Sequence, residues 1–337
     1  MVYRLADKPD HTCEIIDMLS VGLATRNRPE RLAQWLAHIS SIEGGGVLPV
    51  IVVDQSTESW NQPLAANVRY IHRPGTGLAI ARNVLVSLCQ TDYLAVCDDD
   101  CLPAHDWLTV AAAVVVSSPT VALWFGAAYP TGSDAQIHLA STPAGTTAWA
   151  SRPDGNVCLA LRIAPQPAQF NAPCAILESL GQGNNMVLHV PTTRRIGGFE
   201  PLLGAGAVCQ SGEDIEYALR LLCMKQLCGY EPRLIVLHDA WQSPSMAARA
   251  GYGYTVGMVA LLCWYALTGV TVAAHELAYR AHLRSNIHPN ITQLSIDSPS
   301  TAHDARWIFT EITAICWGIV LGCWLALLRG ASWRNRK

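Results

Sequence analysis

The chain has 337 residues and a formal net charge of −3. That length allows one large α/β domain with additions or two modest domains, and the slightly acidic balance gives no electrostatic reason to expect nucleic acid as a partner. Only 15% of residues are charged while 50% are hydrophobic, which suggests a globular body carrying membrane-associated segments.

The opening stretch MVYRLADKPDHTCEIID is polar and of mixed charge, unlike the basic-then-apolar pattern of a secretory signal. The 12 cysteines are scattered through apolar stretches with no regular spacing and are expected to be reduced, buried small hydrophobes. Met18 to Ala24 reads as an apolar strand, followed by the polar turn Thr25-Arg26-Asn27-Arg28-Pro29. From Pro29 to Ile42, Leu32, Trp35, Leu36 and Ile39 recur at three and four, which predicts a helix stopped by Gly44-Gly45-Gly46. Val50 to Val53 predicts a second strand ending in Asp54, and Val68 to Ile71 a third. A glycine-bearing turn then leads into a helix from Gly77 to Leu88, and the apolar run Tyr93 to Cys97 predicts a fourth strand.

That strand ends in three consecutive aspartates, Asp98, Asp99 and Asp100, with Pro103 just beyond. Three carboxylates on one turn repel one another unless something cationic neutralises them. A divalent metal held by hard oxygen ligands, Mg²⁺ or Mn²⁺, is the economical expectation. A helix is predicted from about His105 to Val116. The stretch from Gly126 to Ser179 is rich in Pro, Ala, Thr and Gly with weak periodicity, and reads as short strands and long loops around an acceptor site. Asn185 to Val190 predicts a strand, Pro191 to Ile196 a short helix, Gly212 to Met224 a clear helix, and Leu234 to Leu237 a last strand ending at His238-Asp239. Strand and helix alternating in this rhythm argue for an α/β fold, a mostly parallel sheet with helices on both faces. In such a sheet the carboxyl ends of the strands share one edge, so Asp54, the aspartate cluster and His238 are expected to converge on one crevice.

The last third changes character. Ala250 to Ala274 carries no charge, and Ile312 to Leu328 is a second uncharged apolar run. These predict two membrane-spanning or interfacial helices, at about 254–274 and 308–328; the alternative for the first is a core helix covering the sheet. The expected division is 1–245 for the catalytic domain and 246–337 for the apolar region. The basic tail Arg329, Arg334, Arg336 and Lys337 biases that end toward the cytoplasm, so the chain is expected on the cytoplasmic face of a membrane. Asn290-Ile291-Thr292 fits a glycosylation acceptor, a reading discounted without a secretory route.

Six segments, SVGLATRNRPERLAQWL, PVIVVDQSTES, GTGLAIARNVLVSL, YLAVCDDDCLPAHDWL, GQGNNMVLHVPTTRRIGGFEPLLGAG and SGEDIEYALRL, stand in an order that resembles the family 2 glycosyltransferases. The resemblance runs from Met18 to Asp239 and implies the Rossmann-like GT-A fold, a nucleotide-sugar donor, a lipid-linked or glycan acceptor and a divalent metal. It implies that Thr25, Arg28, Gly77, Arg82 and Asn83 border the nucleotide and that Asp54 hydrogen-bonds the base. Asp98 and Asp99 would face ribose or sugar, with Asp98, Asp100 and His238 as metal ligands. Asp214, with Glu213 beside it, would be the catalytic base, since forming a glycosidic bond with inversion needs a carboxylate to take the acceptor proton. Asn184, Asn185, Gly197 and Gly198 are expected to shape the acceptor side, and Trp241 either stacks on a sugar or sits in the core. Two other functions fit parts of the pattern, a nucleotidyltransferase on the same fold and a catalytically silent sugar-nucleotide-binding scaffold.

Overall fold

The computed structural model describes residues 18–142, 145–173, 180–286 and 301–330. The basic tail beyond Gly330 and the Asn290 triplet lie outside the described residues.

Four parallel strands form the first half of the sheet: β1 (Leu19–Thr25), β2 (Val50–Asp54), β3 (Val68–His72) and β4 (Tyr93–Cys97), in the order β3-β2-β1-β4. Every residue of β1, β2 and β4 is buried, as expected of parallel strands covered on both faces. The covering helices are α1 (Pro29–Ser41), α2 (Leu78–Leu88) and α3 (Trp107–Ser117), reached after the short strand β5 (Cys101–Pro103). α1 starts with Pro29 at its first position and buries Leu32, Trp35 and Ile39, the face its periodicity marked.

Beyond β4 the sheet is mixed. β11 (Asn185–His189) lies antiparallel between β4 and β6 (Val121–Pro130), and β12 (Leu227–His238) runs parallel to β6. The weakly periodic stretch is richer in strand than its composition suggested. After β6 come the hairpin β7 (Gln136–Thr142) and β8 (Gly145–Ser151), then β9 (Val157–Arg162) and β10 (Ala168–Phe170). Their small residues and half-exposed faces blur the alternation that marks a strand. β12 is likewise longer than its apolar core, because Glu231-Pro232-Arg233 forms a register irregularity between paired segments. α4 (Val190–Ile196) and α5 (Glu213–Cys223) complete this half.

The first apolar run does not form the single helix expected at 254–274. β13 (Trp241–Gln242) passes into α6 (Pro244–Leu267), capped by Ser243, and Gly269 at φ +84° turns the chain into α7 (Thr271–Asn286). The apolar stretch of α6 is 67% buried inside the protein. Val256, Leu261 and Tyr265 join the same hydrophobic core as Phe125 of β6 and Met186 of β11. For α6, therefore, the core-helix alternative describes the packing.

α8 (Thr301–Arg329) lies along α6, and its apolar stretch is only 28% buried. Ala314, Gly318, Leu321 and Leu325 face inward. A Cβ on Gly318 would come within 2.7 Å of Val259 Cβ, so the small residue lets the two helices approach closely. The opposite face exposes Trp317, Val320, Trp324 and Leu327.

Candidate active site

The carboxyl ends of β1, β4 and β12 open onto one cleft of about 730 Å³. Thr25 closes β1, Asp98 to Asp100 follow β4, and His238 closes β12 opposite Cys101. Glu213 and Asp214 enter the same cleft from the N-terminus of α5, preceded by Gly212 in the left-handed conformation at φ +90°. Sequence-distant acids thus meet at one sheet edge, as the strand-end argument predicted.

Each aspartate faces a cation. Asp99 accepts from Thr25 Oγ1 at 2.7 Å and from Arg28 Nη1 at 2.6 Å. Asp100 accepts from Arg28 at 3.1 Å, and its Oδ1 lies 3.5 Å from His238 Nε2. Asp98 accepts from Arg82 Nη2 at 3.0 Å. Burial pushes Asp98 up to about 6 against the opposing pull of Arg82. Burial also acts to raise Asp100, but its hydrogen bond to His238 wins and holds this carboxyl below its usual range. Desolvation alone would lower His238; Asp100 and the Cys158 thiol outweigh it and raise the imidazole above its ordinary value.

Ligand atoms of Asp100, Cys101 and His238 all lie within 4.8 Å of one another. Cys101 is a poor third ligand, because burial keeps its thiol protonated. The oxygen and nitrogen donors Asp100 and His238, with Asp98 adjoining, fit a divalent cation that accepts both donor types.

Arg82 is only 1% exposed and binds both groups of acids. Its Nη1 donates to Glu213 Oε1 at 2.7 Å, while Nη2 donates to Asp98 at 3.0 Å and to the Gly183 carbonyl at 2.7 Å. The Gly183 amide in turn donates to Asp214 Oδ2 at 2.6 Å. A Cβ on Gly183 would lie 2.9 Å from both Arg82 and Asp214, so this junction has room only for glycine. Glu213 is buried, and desolvation followed by the neighbouring Asp214 pushes it up to about 7 despite Arg82. Asp214 is half-buried on the cleft wall.

Several expected residues have their side chains engaged by other parts of the protein. Asp54 closes β2, but its carboxylate accepts from Ser56 and from Tyr70 Oη at 2.7 Å; Gln55, the next residue, lines the cleft instead. Asn83 holds the Phe199 backbone through both ends of its amide, at 2.8 and 2.7 Å. Asn185 is fully buried and ties Trp107, Ala127 and Leu234 together. Gly197 and Gly198 close α4 at positive φ, and Gly198 abuts Asn83 rather than the cleft. The indole of Trp241 donates to Thr131 and is covered by Arg152 at 3.9 Å, away from the cleft. Thr25, Arg28, Gly77, Arg82, Asn184 and the two acidic groups do line it.

Two aromatic cleft residues escaped the sequence reading. Trp149 lies in the weakly patterned hairpin, and Tyr254 sits in the run read as a membrane span.

Residues 20–167 match the family model described as glycosyl transferase family 2. A stretch of 101 residues is 33% identical to the succinoglycan biosynthesis protein ExoM of Rhizobium meliloti (strain 1021), covering 27% of this chain and 32% of that protein, so the match spans about a third of that relative's length. The fold also resembles the mannosyltransferase PcManGT of Pyrobaculum calidifontis, solved with GDP-Man and Mn²⁺: the TM-score is 0.50 at 15% identity, over 91% of this chain and 87% of that one. The family model takes in β1, the aspartate cluster and the strands through β9. Over residues 20–167 the chain is similar to the family 2 glycosyltransferases.

Proposed function

We propose that this glycosyltransferase is an inverting, metal-dependent enzyme that moves a sugar from a nucleoside-diphosphate donor onto a hydroxyl of a lipid-linked or polysaccharide acceptor at a membrane surface. The observation that carries the reading is the pairing, in one cleft, of an acid cluster beside His238 with a separate, half-buried carboxylate, Asp98 bound to Arg82 directly and Asp214 linked to it through Gly183.

Thr25, Gln55 and Gly77 border the nucleotide, where Gly77 at φ +111° exposes backbone to the cleft. Asp98, Asp100 and His238 would hold the cation, and an imidazole nitrogen among carboxylates would favour Mn²⁺ over Mg²⁺. A divalent ion held by these residues would supply neutralisation of the charge that develops on the departing diphosphate. Arg28, half-exposed and resting on Asp99 and Asp100, is free to turn its guanidinium toward phosphate oxygens. Asp214 takes the proton of the acceptor hydroxyl as that oxygen bonds to the anomeric carbon; the opposite C–O bond breaks and its electron pair leaves with the nucleoside diphosphate, inverting the centre. Glu213 is buried against Arg82 and supports the cluster instead. A nucleotidyl transfer would leave Asp214 without a task.

Membrane placement rests on the outer face of α8. Trp317, Val320, Trp324 and Leu327 recur at three and four along it, and the following sequence ends in Arg334, Arg336 and Lys337. An apolar stripe with indoles beside a basic tail suits the surface of an anionic bilayer. We assign α8 to that surface and α6 to the catalytic body.

Asp214→Asn tests the reaction. Purified protein, screened against a panel of nucleotide sugars with and without Mn²⁺, should lose sugar transfer by about 10²-fold or more in the variant. Binding of the nucleoside diphosphate should stay within twofold. Near wild-type turnover in Asp214→Asn would refute the assignment of the base.

A further inference from the structure

Asp239 follows His238 and has no task in the reaction above, yet its amide, its carbonyl and both carboxylate oxygens are all committed. The amide donates to the Asp100 carbonyl at 2.7 Å, which carries the β5–β12 ladder one residue beyond its last pair, His238 with Cys101. The carbonyl accepts from Arg31 Nη2 at 2.9 Å and Oδ2 from Arg31 Nη1 at 2.6 Å. Oδ1 accepts from Thr131 Oγ1 at 2.6 Å. That hydroxyl accepts in turn from the Trp241 indole at 3.0 Å, so its own proton is directed at Asp239. The Thr131 amide donates to the His238 carbonyl at 3.3 Å.

Arg31 stands three residues beyond Arg28, at the start of the same helix α1. Arg28 binds Asp99 and Asp100 after β4, and Arg31 binds Asp239 after β12. In the sheet those two strands are separated by β11 and β6, so the start of α1 ties together strand ends that are not neighbours. Neither Arg31, Thr131 nor Asp239 lines the cleft. The Arg31 and Asp239 side chains are each 35% exposed, and an ion pair so open to solvent adds little to stability. What the network fixes is geometry.

We propose that Asp239, clasped by Arg31 and Thr131, is a positioning residue that holds the His238 imidazole at the separation from Asp100 that one shared cation requires. Adjacent ligands of an octahedral ion with bonds of about 2.1 Å stand about 3 Å apart. His238 Nε2 and Asp100 Oδ1 are 3.5 Å apart, close to that spacing before any ion enters. A ligand misplaced by about 1 Å serves such an ion poorly, and the clasp holds the backbone on both sides of this pair. The role rests on the proposed cation site and adds residues outside the cleft that set its shape.

Titration of the full chain with Mn²⁺, followed by electron paramagnetic resonance with UDP or GDP present, tests it without turnover. Spin-echo modulation from the imidazole nitrogen reports whether His238 touches the ion. Asp239→Ala and Arg31→Leu should each weaken Mn²⁺ binding about tenfold or more, and the nitrogen modulation should fade even at saturating Mn²⁺. Unfolding midpoints of the metal-free variants should fall by no more than about 3 °C. Thr131→Ser keeps the hydroxyl and should match the wild type, whereas Thr131→Val should bind Mn²⁺ more weakly; this pair decides the matter alone if the other two variants fail to fold. Wild-type affinity and nitrogen modulation in Asp239→Ala and Arg31→Leu would overturn the clasp and leave the cation site standing, and so would a lowered midpoint with Mn²⁺ affinity kept. A wild type that holds no Mn²⁺ would sink the cation site and the clasp with it.

Discussion

Arg82 is the residue on which the electrostatics of the cleft turn. It is buried, carries one positive charge, and lies within hydrogen-bond distance of Glu213 and Asp98. Removing one partner of a buried ion pair leaves the other uncompensated, at about 3–5 kcal/mol. Arg82→Leu should therefore lower the unfolding free energy by about that amount in urea titrations, far more than a surface arginine would. Arg82→Lys should keep most of the stability yet lose transfer activity, since one ammonium cannot reproduce the fork that meets Glu213, Asp98 and the Gly183 carbonyl together. Equal stability of wild type and Arg82→Leu would remove Arg82 from its structural role. Gly183→Ala should weaken transfer while calorimetric binding of the nucleoside diphosphate persists, because the atoms nearest the added Cβ belong to Arg82 and Asp214.

At the scale of elements, α6 and α8 show how much helix packing depends on absent side chains. A Cβ on Gly322 would collide with Cys263 and come within 2.7 Å of the Ala260 carbonyl. Gly322→Leu should cost about 1–3 kcal/mol through overpacking, read as a lower midpoint in thermal or urea unfolding, and an unchanged midpoint would mean that α8 does not pack on α6. The ion pair between Arg329 and Glu200, at 2.9 Å, anchors the far end of α8 to the body. The strand–helix alternation up to α3 was legible because fully buried parallel strands read as unbroken apolar runs. The acidic cluster was legible for the complementary reason, three like charges having no cheap structural use. Asp54 is ambiguous in sequence, since a strand-end carboxylate that caps its own turn through Ser56 has the same pattern as one that faces a ligand. Trp149 and Tyr254 were hidden by their surroundings, one in a stretch of small residues, the other in a helix whose uniform apolarity masks which face meets the site. Burial of α6 could not be read from composition because a core helix and a membrane span obey the same rule.

For the whole molecule, the cleft and the exposed face of α8 belong to one body, joined through α6, which contributes Tyr254 to the cleft and packs against α8. Vesicles with a substantial fraction of anionic lipid should bind the wild type in flotation assays, and Trp317→Ser with Trp324→Ser should weaken that binding at least about tenfold. Nucleoside diphosphate binding should survive in the double variant, since neither tryptophan lines the cleft; undiminished flotation would place the membrane contact elsewhere. The proposed reaction requires distant acids to gather around one cation that grips a donor's diphosphate. Mn²⁺ binding measured by electron paramagnetic resonance, with UDP or GDP present, tests it most directly. One tightly held Mn²⁺ per chain is expected in the wild type and in Asp214→Asn, with its loss in Asp100→Asn; Mn²⁺ retained in Asp100→Asn, or nucleotide binding indifferent to the metal, would overturn the metal site.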